Sequence, residues 1–301
     1  HWRPDAALFV ESELWPNMLR ETRASGVAMA LVNARISDRS VRRWKRFRST
    51  ARSLLDLFDV IHCQDDRTAA HLRSLGLKGA RRGINLKALA GPLPVDEAAL
   101  DRLRACVKNR PLWLAASTHP GEDEIALAAH RILRQAYPDA LLLLAPRHPD
   151  RATSIKALIS AADLSVAQRS TGERPTPDCA VYLADTLGEM GLWYTLSPLT
   201  LLCGSLVDVG GHNPYEPAQT GSYILHGPHY ANFEPVYRDL DASGAGEKVA
   251  DAPAIAERVA QVWSHPESLQ SKQAAARAFA RQNEDGLESL AEHLFTRLRL
   301  S

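Results

Sequence analysis

The stretch Leu112-Trp113-Leu114-Ala115-Ala116-Ser117-Thr118-His119-Pro120-Gly121-Glu122 decides the fold. It opens with five apolar residues and no polar alternation, which reads as a strand buried on both faces, as in a parallel sheet. Small polar residues and a Gly then turn the chain, and Glu122–Ala136 repeats apolar residues at helical spacing. Ala140–Ala145 reads as the next strand and Arg151–Ala161 as the next helix. Strand, helix, strand in that rhythm is the βαβ unit, and its ligands lie beyond the carboxyl ends of the strands.

The rhythm continues in both directions. Downstream, strands are expected at Leu164–Ala167, Ala180–Leu183, Leu199–Gly204 and Ser222–Leu225, with helix from Pro253 onward. Upstream, Ala6–Val10, Ala28–Val32 and Val60–Cys63 read as strands. Leu14–Ala24, Arg39–Leu57 and Arg67–Leu75 read as the helices between them, the last closed by Gly76. Gly91-Pro92-Leu93-Pro94 can continue neither helix nor central strand. The fold class expected is α/β, with two doubly wound Rossmann-like domains: 1–90, a linker at 91–96, and 97–301.

A chain of 301 residues with 45% apolar and 24% charged residues has material for two globular cores, which excludes collagen-like, coiled-coil and wholly disordered readings. No apolar run approaches the roughly 18 residues of a membrane-spanning helix. Cys63, Cys106, Cys179 and Cys203 are far apart, so neither a disulfide framework nor a zinc site is expected, and a reducing compartment is favoured. Residues 1–90 carry net charge +8 and the remainder −7, as if a basic half faced an anionic partner. The chain opens with His1, not Met, and runs almost directly into a strand, which reads as a start inside a larger protein.

Polar residues collect after the strands of the second half. Ser117-Thr118-His119-Pro120-Gly121-Glu122 offers either an anion site at a helix N-terminus or a plain N-cap at Ser117 or Thr118. Pro146-Arg147-His148-Pro149 holds two cation-capable side chains between prolines, and the Arg fork suits phosphate. The densest segment is Gly204-Ser205-Leu206-Val207-Asp208-Val209-Gly210-Gly211-His212-Asn213-Pro214-Tyr215-Glu216-Pro217. Its paired glycines permit a close backbone approach, Asn213 is placed to cap a short helix, and the Glu216 carboxylate can accept from ribose hydroxyls. Asp185-Thr186-Leu187-Gly188-Glu189-Met190 and Gly227-Pro228-His229 follow two further strands. Such convergence is what a nucleotide site requires.

Together with Phe9-Val10-Glu11-Ser12-Glu13-Leu14-Trp15-Pro16-Asn17, these segments resemble the Kdo (3-deoxy-D-manno-octulosonic acid) transferases, which build the inner core of lipopolysaccharide. The resemblance spans essentially the whole chain, and Gly210–Pro217 is its most specific part. It implies the GT-B glycosyltransferase fold with the first domain incomplete. Residues 1–90 would be the later part of the acceptor-binding domain and 97–301 the CMP-sugar donor-binding domain. It further implies CMP-Kdo as donor, a lipid A precursor as anionic lipid acceptor, and inverting transfer with no metal and no cofactor. The setting it implies is peripheral, at the cytoplasmic face of the bacterial inner membrane.

By the same resemblance Arg147 and His148 stand on the donor phosphate, Gly188 and Met190 line a cytosine pocket, and Asn213 and Glu216 hold the ribose. Ser205, Gly210 and Gly211 let the backbone close on the nucleotide, and Thr118 and His119 join the donor side. The family's catalytic Glu belongs to a segment upstream of His1, so the base is unassigned, with Glu11 and Glu13 as runners-up. Tyr215 replaces a common Leu, and Gly83-Ile84-Asn85-Leu86-Lys87 carries an inserted residue. The alternatives are another GT-B nucleotide-sugar transferase or epimerase, or a nucleotide-binding fragment without turnover.

Arg39, Arg42, Arg43, Lys45, Arg46 and Arg48 surround Trp44 and Phe47, three residues apart on one expected helical face. Cations about an aromatic stripe describe a helix on an anionic membrane surface, and Arg39, Arg42, Arg43 and Arg46 are its candidate acceptor and membrane contacts. The competing reading is a solvated helix with the two aromatics in the core. No nucleic-acid motif accompanies the patch. Glu11 and Glu13 would share one side if the first strand persists through them.

Overall fold

A computed structural model of the chain describes residues 3–83, 86, 91–108, 110–282 and 284–300. It divides into two compact units, 1–90 with 282–301, and 91–281. The first unit contains β1 (Ala6–Val10), α1 (Pro16–Ala24), β2 (Ala28–Ala34), α2 (Asp38–Arg46), α3 (Arg48–Leu55), β3 (Val60–Cys63), α4 (Asp66–Ser74) and β4 (Arg81–Arg82). Its sheet runs β1-β2-β3-β4 with every pairing parallel. Strands β1 and β3 fall where the apolar runs place them. Of the segment 83–87, only Gly83 and Leu86 are among the described residues.

Arg39–Leu57 is expected as one helix but forms two. Phe47, at φ −121° and ψ 45°, leaves the helical region, so α2 ends and α3 begins on either side of it. The expectation that Trp44 and Phe47 share a helical face is thereby overturned. Trp44 packs against the unit's core, whereas Phe47 is 66% exposed at the break. Strand β1 also stops at Val10, and Glu11 turns out of it with φ +58°, so strand alternation does not relate Glu11 to Glu13.

The second unit begins at Gly91. Residues 91–96 have no regular structure, yet Leu93 and Pro94 lie so close to Gly191 that a Cβ there would meet the Pro94 carbonyl at 2.5 Å. Its elements are α5 (Glu97–Val107), β5 (Leu112–Thr118), α6 (Glu122–Ala136), β6 (Leu141–Pro146), α7 (Ala152–Ala161), β7 (Val166–Gln168), β8 (Val181–Leu183), α8 (Met190–Leu196), β9 (Leu199–Leu202), α9 (Tyr215–Thr220), β10 (Tyr223–His226), α10 (Glu234–Ala242), β11 (Gly246–Lys248), α11 (Ala252–Ser264) and α12 (Pro266–Arg281). Asp96 and Asp251 cap α5 and α11 by accepting from the amides of Ala99 and Ala254, each at 3.0 Å. The parallel sheet runs β11-β10-β9-β5-β6-β8-β7. Trp113, Leu142, Leu144, Leu199, Leu201 and Leu225 fill its core, which is why these strands read as unbroken apolar runs.

The last helix, α13 (Glu284–Leu298), lies with the first unit, where Leu294 and Leu298 pack beside Ala30, Val32 and Val60. The span expected as a second domain, 97–301, therefore ends at Arg281. Sequence order alone cannot show that a chain crosses back to its first sheet.

Candidate functional site

In the second unit's sheet β5 is flanked by β6 on one side and β9 on the other, so the strand order switches direction between β5 and β9. That switch point is where a doubly wound sheet opens a crevice for ligand. Two histidines meet there: His119 after β5 and His212 after β9 lie with Nε2 atoms 3.0 Å apart and rings nearly parallel. One nitrogen must donate and the other accept, so at least the accepting ring is neutral when this contact is made. Burial pushes His212 down to about 4, helped by His119 and Arg147. Burial also lowers His119; Glu122 opposes, and His148, Arg151 and Arg147 add to the lowering.

Glu122 is fully buried at the start of α6, and its carboxylate accepts four backbone N–H groups. These come from His119 (3.0 Å), Gly204 (2.7 Å), Ser205 (3.1 Å) and Leu206 (2.9 Å). Consecutive amides of this kind form an anion-binding nest, and the protein fills it with its own carboxylate. Of the turn Ser117–Glu122, the His119 amide is thus taken from within. The cap of α6 is Gly121, at φ +94°, not Ser117 or Thr118.

Thr118 and Ser205 are also spoken for. The Thr118 hydroxyl donates to Asp123 at 2.6 Å, and Asp123 in turn pairs with Arg151. The Ser205 hydroxyl donates to the Leu202 carbonyl (2.6 Å) and accepts from the Gly227 amide (2.7 Å). Both hydroxyls brace the loops. Gly227 allows this approach, since a Cβ there would lie 2.1 Å from the Ser205 carbonyl oxygen.

The remaining groups face the crevice. Arg147, exposed after β6, donates its backbone amide to the Thr118 carbonyl at 3.1 Å, while its guanidinium has no hydrogen-bond or carboxylate partner among the described residues, and its charge acts on His119, His212 and Glu216. His148 follows it, exposed, with its ring edge-on to His119 at 6.1 Å. Gly210 takes φ +103°, where a Cβ would strike the Asn232 side chain, and Gly211 donates its amide to the Gly204 carbonyl at 2.8 Å. Pro214, not Asn213, is the N-cap of α9. Asn213 instead accepts from the Tyr215 amide and donates Nδ2 to Glu216 Oε1, each at 3.2 Å. Burial raises the Glu216 pKa, against the pull of Asn213 and Arg147. Tyr215 is buried and stacks on Phe279 with ring centroids 5.0 Å apart, so the larger ring serves packing.

Gly188 and Met190 follow β8, the neighbour of β6, on a segment that carries two satisfied carboxylates. Asp185 accepts from the Ser170 amide (3.0 Å), the Ser170 hydroxyl (2.6 Å) and Gln168 Nε2 (2.6 Å). Glu189 takes the Arg169 fork at 3.0 and 2.6 Å. Glu122, His212, Asp185 and Glu189 had no role in the sequence reading. Glu122 lies 82 to 84 residues from the amides of Gly204, Ser205 and Leu206, a separation that no local spacing reveals.

In the first unit Arg39, Arg42, Arg43 and Arg46 are all exposed on α2. Glu13 accepts from the Trp15 indole at 2.8 Å. Glu11 accepts from the buried Asn33 at 3.4 Å, at the carboxyl ends of β1 and β2. Among the described residues no group of three or more His, Cys, Asp or Glu could hold a metal ion, and no helix is long and apolar enough to cross a membrane.

Two parallel α/β units, the second doubly wound with a polar crevice at its switch point, are the architecture of the GT-B glycosyltransferase fold. S. aureus MnaA with UDP shares that fold at 13% identity and a TM-score of 0.60, over 99% of this chain and 77% of that one. The family model for 3-deoxy-D-manno-octulosonic-acid transferase (kdotransferase) matches residues 1–89. The 3-deoxy-D-manno-octulosonic acid transferase of Haemophilus influenzae is 33% identical over 97% of this chain and 69% of its own length. That of Bordetella pertussis is 36% identical over 92% of this chain and 65% of its own. The C-terminal CMP-Kdo binding domain of WaaA from Acinetobacter baumannii is 28% identical, with a TM-score of 0.59, over 62% of this chain and 97% of that domain. The chain belongs to the Kdo transferase family, and it spans about two thirds of the length of the first two relatives.

Proposed function

We propose that the second unit binds a CMP-sugar and that the protein transfers Kdo from CMP-Kdo to a lipid A precursor with inversion and without a metal ion. The observation that carries this reading is the crevice between β5 and β9. There the Arg147 guanidinium, with no side-chain partner among the described residues, acts on Glu216, which Asn213 holds, and on the two imidazoles of His119 and His212. A nucleoside monophosphate presents one phosphate and one ribose diol. Arg147, with His148 beside it, suits the phosphate, and the Glu216 carboxylate, oriented by Asn213, suits the diol. The likeness to the CMP-Kdo binding domain of WaaA supports the choice of CMP. Gly188 and Met190 are the proposed cytosine wall.

In the transfer the acceptor hydroxyl oxygen attacks the anomeric carbon, the bond from that carbon to the CMP phosphate oxygen breaks, and CMP leaves with the electron pair. A carboxylate base takes the hydroxyl proton. Arg147 and His148 stabilise the negative charge that develops on the departing phosphate. The acceptor reading rests on the exposed cations of α2, which suit a phosphorylated lipid at the cytoplasmic face of a membrane.

Calorimetric titration with CMP and UMP tests the donor. CMP is expected to bind more tightly, and Glu216→Ala to weaken it by about 1–3 kcal/mol, the scale of a charged hydrogen-bonding partner. Equal or tighter binding of UMP overturns the CMP assignment and favours another GT-B transferase or epimerase. Activity that survives EDTA supports metal independence, and CMP binding without any transfer supports a nucleotide-binding fragment.

A further inference from the structure

The first unit holds a second basic feature, apart from α2. A groove of about 720 Å³ is walled by the first residues of β3 and β4, by α3 and by α13. These are the amino ends of the strands, opposite to the ends at which a doubly wound sheet presents its usual site. The volume falls in the range of small-molecule sites.

The lining is charged with one sign. Arg48, Arg52, Lys78, Arg81 and Arg297 contribute five exposed cations against two carboxylates, Asp56 and Asp59. Both carboxylates are engaged: Arg52 holds Asp56 at 3.2 Å, and Arg23, which does not line the groove, holds Asp59 at 2.9 Å. Lys78, Arg81 and Arg297 have no carboxylate partner among the described residues. Long cationic side chains ordinarily spread into water, where like charges repel least. Here they border one concavity, whose low-dielectric walls focus the field on whatever enters it.

His62 adds an unmatched polar group. Both of its ring nitrogens are buried without a hydrogen-bond partner, and its ring meets His293 edge-on at 5.0 Å. Burial above all, then His293 and Arg81, keeps its pKa low, so the ring stands neutral with one donor and one acceptor. A buried polar group left unpaired is costly, and an anion in the groove gives the donor a partner.

We propose that this groove binds a ligand carrying two or more neighbouring phosphate groups, gripped by Arg48, Lys78, Arg81 and Arg297. Guanidinium forks match phosphate oxygens two at a time, and several converging forks favour more than one phosphate. A nucleoside is the poorer occupant, because Phe58 is buried and leaves no exposed aromatic face on which a base could stack. The site is separate from the crevice of the second unit.

Titration with tripolyphosphate at low ionic strength tests this, read by calorimetry on the whole chain. The parent is expected to bind saturably, with the His62 ring resonances shifting on addition. Lys78→Glu with Arg81→Glu should weaken binding at least tenfold while leaving CMP affinity unchanged. Both side chains are exposed, and Lys78→Ala with Arg297→Ala provides a second pair should the first not fold. Unchanged affinity in a folded pair, binding that does not saturate, or displacement of tripolyphosphate by CMP overturns the proposal. Phosphatidylglycerol vesicles, added to Arg42→Glu/Arg43→Glu/Arg46→Glu protein so that α2 takes no part, distinguish the source. Displacement assigns the phosphates to lipid headgroups, and retention assigns them to a soluble anion.

Discussion

The carboxyl ends of the strands in the second unit and the basic surface of the first unit both concentrate charge, but they spend it differently. Around β5 and β9 nearly every polar side chain is paired inside the protein: Glu122 with four amides, Thr118 with Asp123, Ser205 with the Leu202 carbonyl and Gly227, His119 with His212. Arg147 and His148 are exceptions. On α2 and around the groove the cations stand in solvent, with few carboxylates to meet them. The first arrangement fixes geometry at the cost of burying charge, and the second keeps attraction available at little cost to the fold. Changes in the second unit should therefore cost stability and binding together, whereas changes on the first unit's surface should cost binding alone.

Removing Glu122 should have the largest effect. Glu122→Ala leaves four amides without an acceptor, those of Gly204 and Ser205 buried, and each buried donor left unsatisfied costs about 1–3 kcal/mol. The urea midpoint should fall accordingly, and CMP binding should be lost with the Gly204–Leu206 turn. Glu122→Gln keeps the shape but turns an NH2 toward amide donors, so it should recover only part of the loss. A parent-like midpoint in Glu122→Ala would show that the turn holds itself, and the contrast between the two regions would fail.

Acid should find the second unit next. His130 is buried, accepts from the Trp113 indole at 3.1 Å and donates to the Ala180 carbonyl at 2.8 Å, and burial puts its pKa at about 3. His212 stands at about 4. Both folded values lie below the ordinary 6.5 of an unfolded chain. Between those limits the unfolded state binds more protons, so stability is lost as pH falls from about 6.5 toward 3. In the first unit Asp59 works lower on the scale. Burial would raise it, but the Met29 amide and Arg23 hold it below 3.8, so its contribution goes only as pH falls through that depressed value. Calorimetric scans should show the melting temperature falling between pH 7 and pH 5, and less steeply in His212→Gln. A flat profile would mean that the two rings are not held neutral.

The same contrast explains what was legible in the sequence. Helix Glu122–Ala136 and strand β1 could be bounded to the residue because apolar period is a local signal. Strands β4 and β11 were not legible: Arg81–Arg82 and Gly246–Lys248 carry no apolar run, and only a neighbouring strand makes them strands. The break at Phe47 is equally silent, because Arg39–Leu57 keeps helical composition throughout. At the site, Arg147, His148 and the Gly204–Pro217 segment stood out because they are compact in sequence. Glu122 did not, since its four partners come from two loops. Thr118 and Ser205 drew notice as ligand groups, and their hydroxyls also brace the loops, because small polar residues at strand ends serve both purposes.

The smallest effect on the fold is expected from reversing the cations of α2, and it separates the two regions most cleanly. Arg42, Arg43 and Arg46 are exposed, and none has a carboxylate partner among the described residues. Replacing all three with Glu should therefore move the urea midpoint little, since exposed substitutions usually stay within about 0.5 kcal/mol each. CMP affinity should not change. Binding to anionic vesicles should fall sharply, because each cation near such a surface contributes on the order of 1 kcal/mol and loses it beyond a Debye length. Raising the salt should mimic the substitution in the parent. Phe47, 66% exposed at the break after α2, offers an apolar anchor beside the charges, so Phe47→Ser should weaken vesicle binding with less salt dependence. Flotation decides it. Equal binding by parent and triple variant at low salt would make α2 a solvated helix and no more. A parallel loss of CMP binding would mean that α2 supports the fold, and the division of labour between the two regions would not hold.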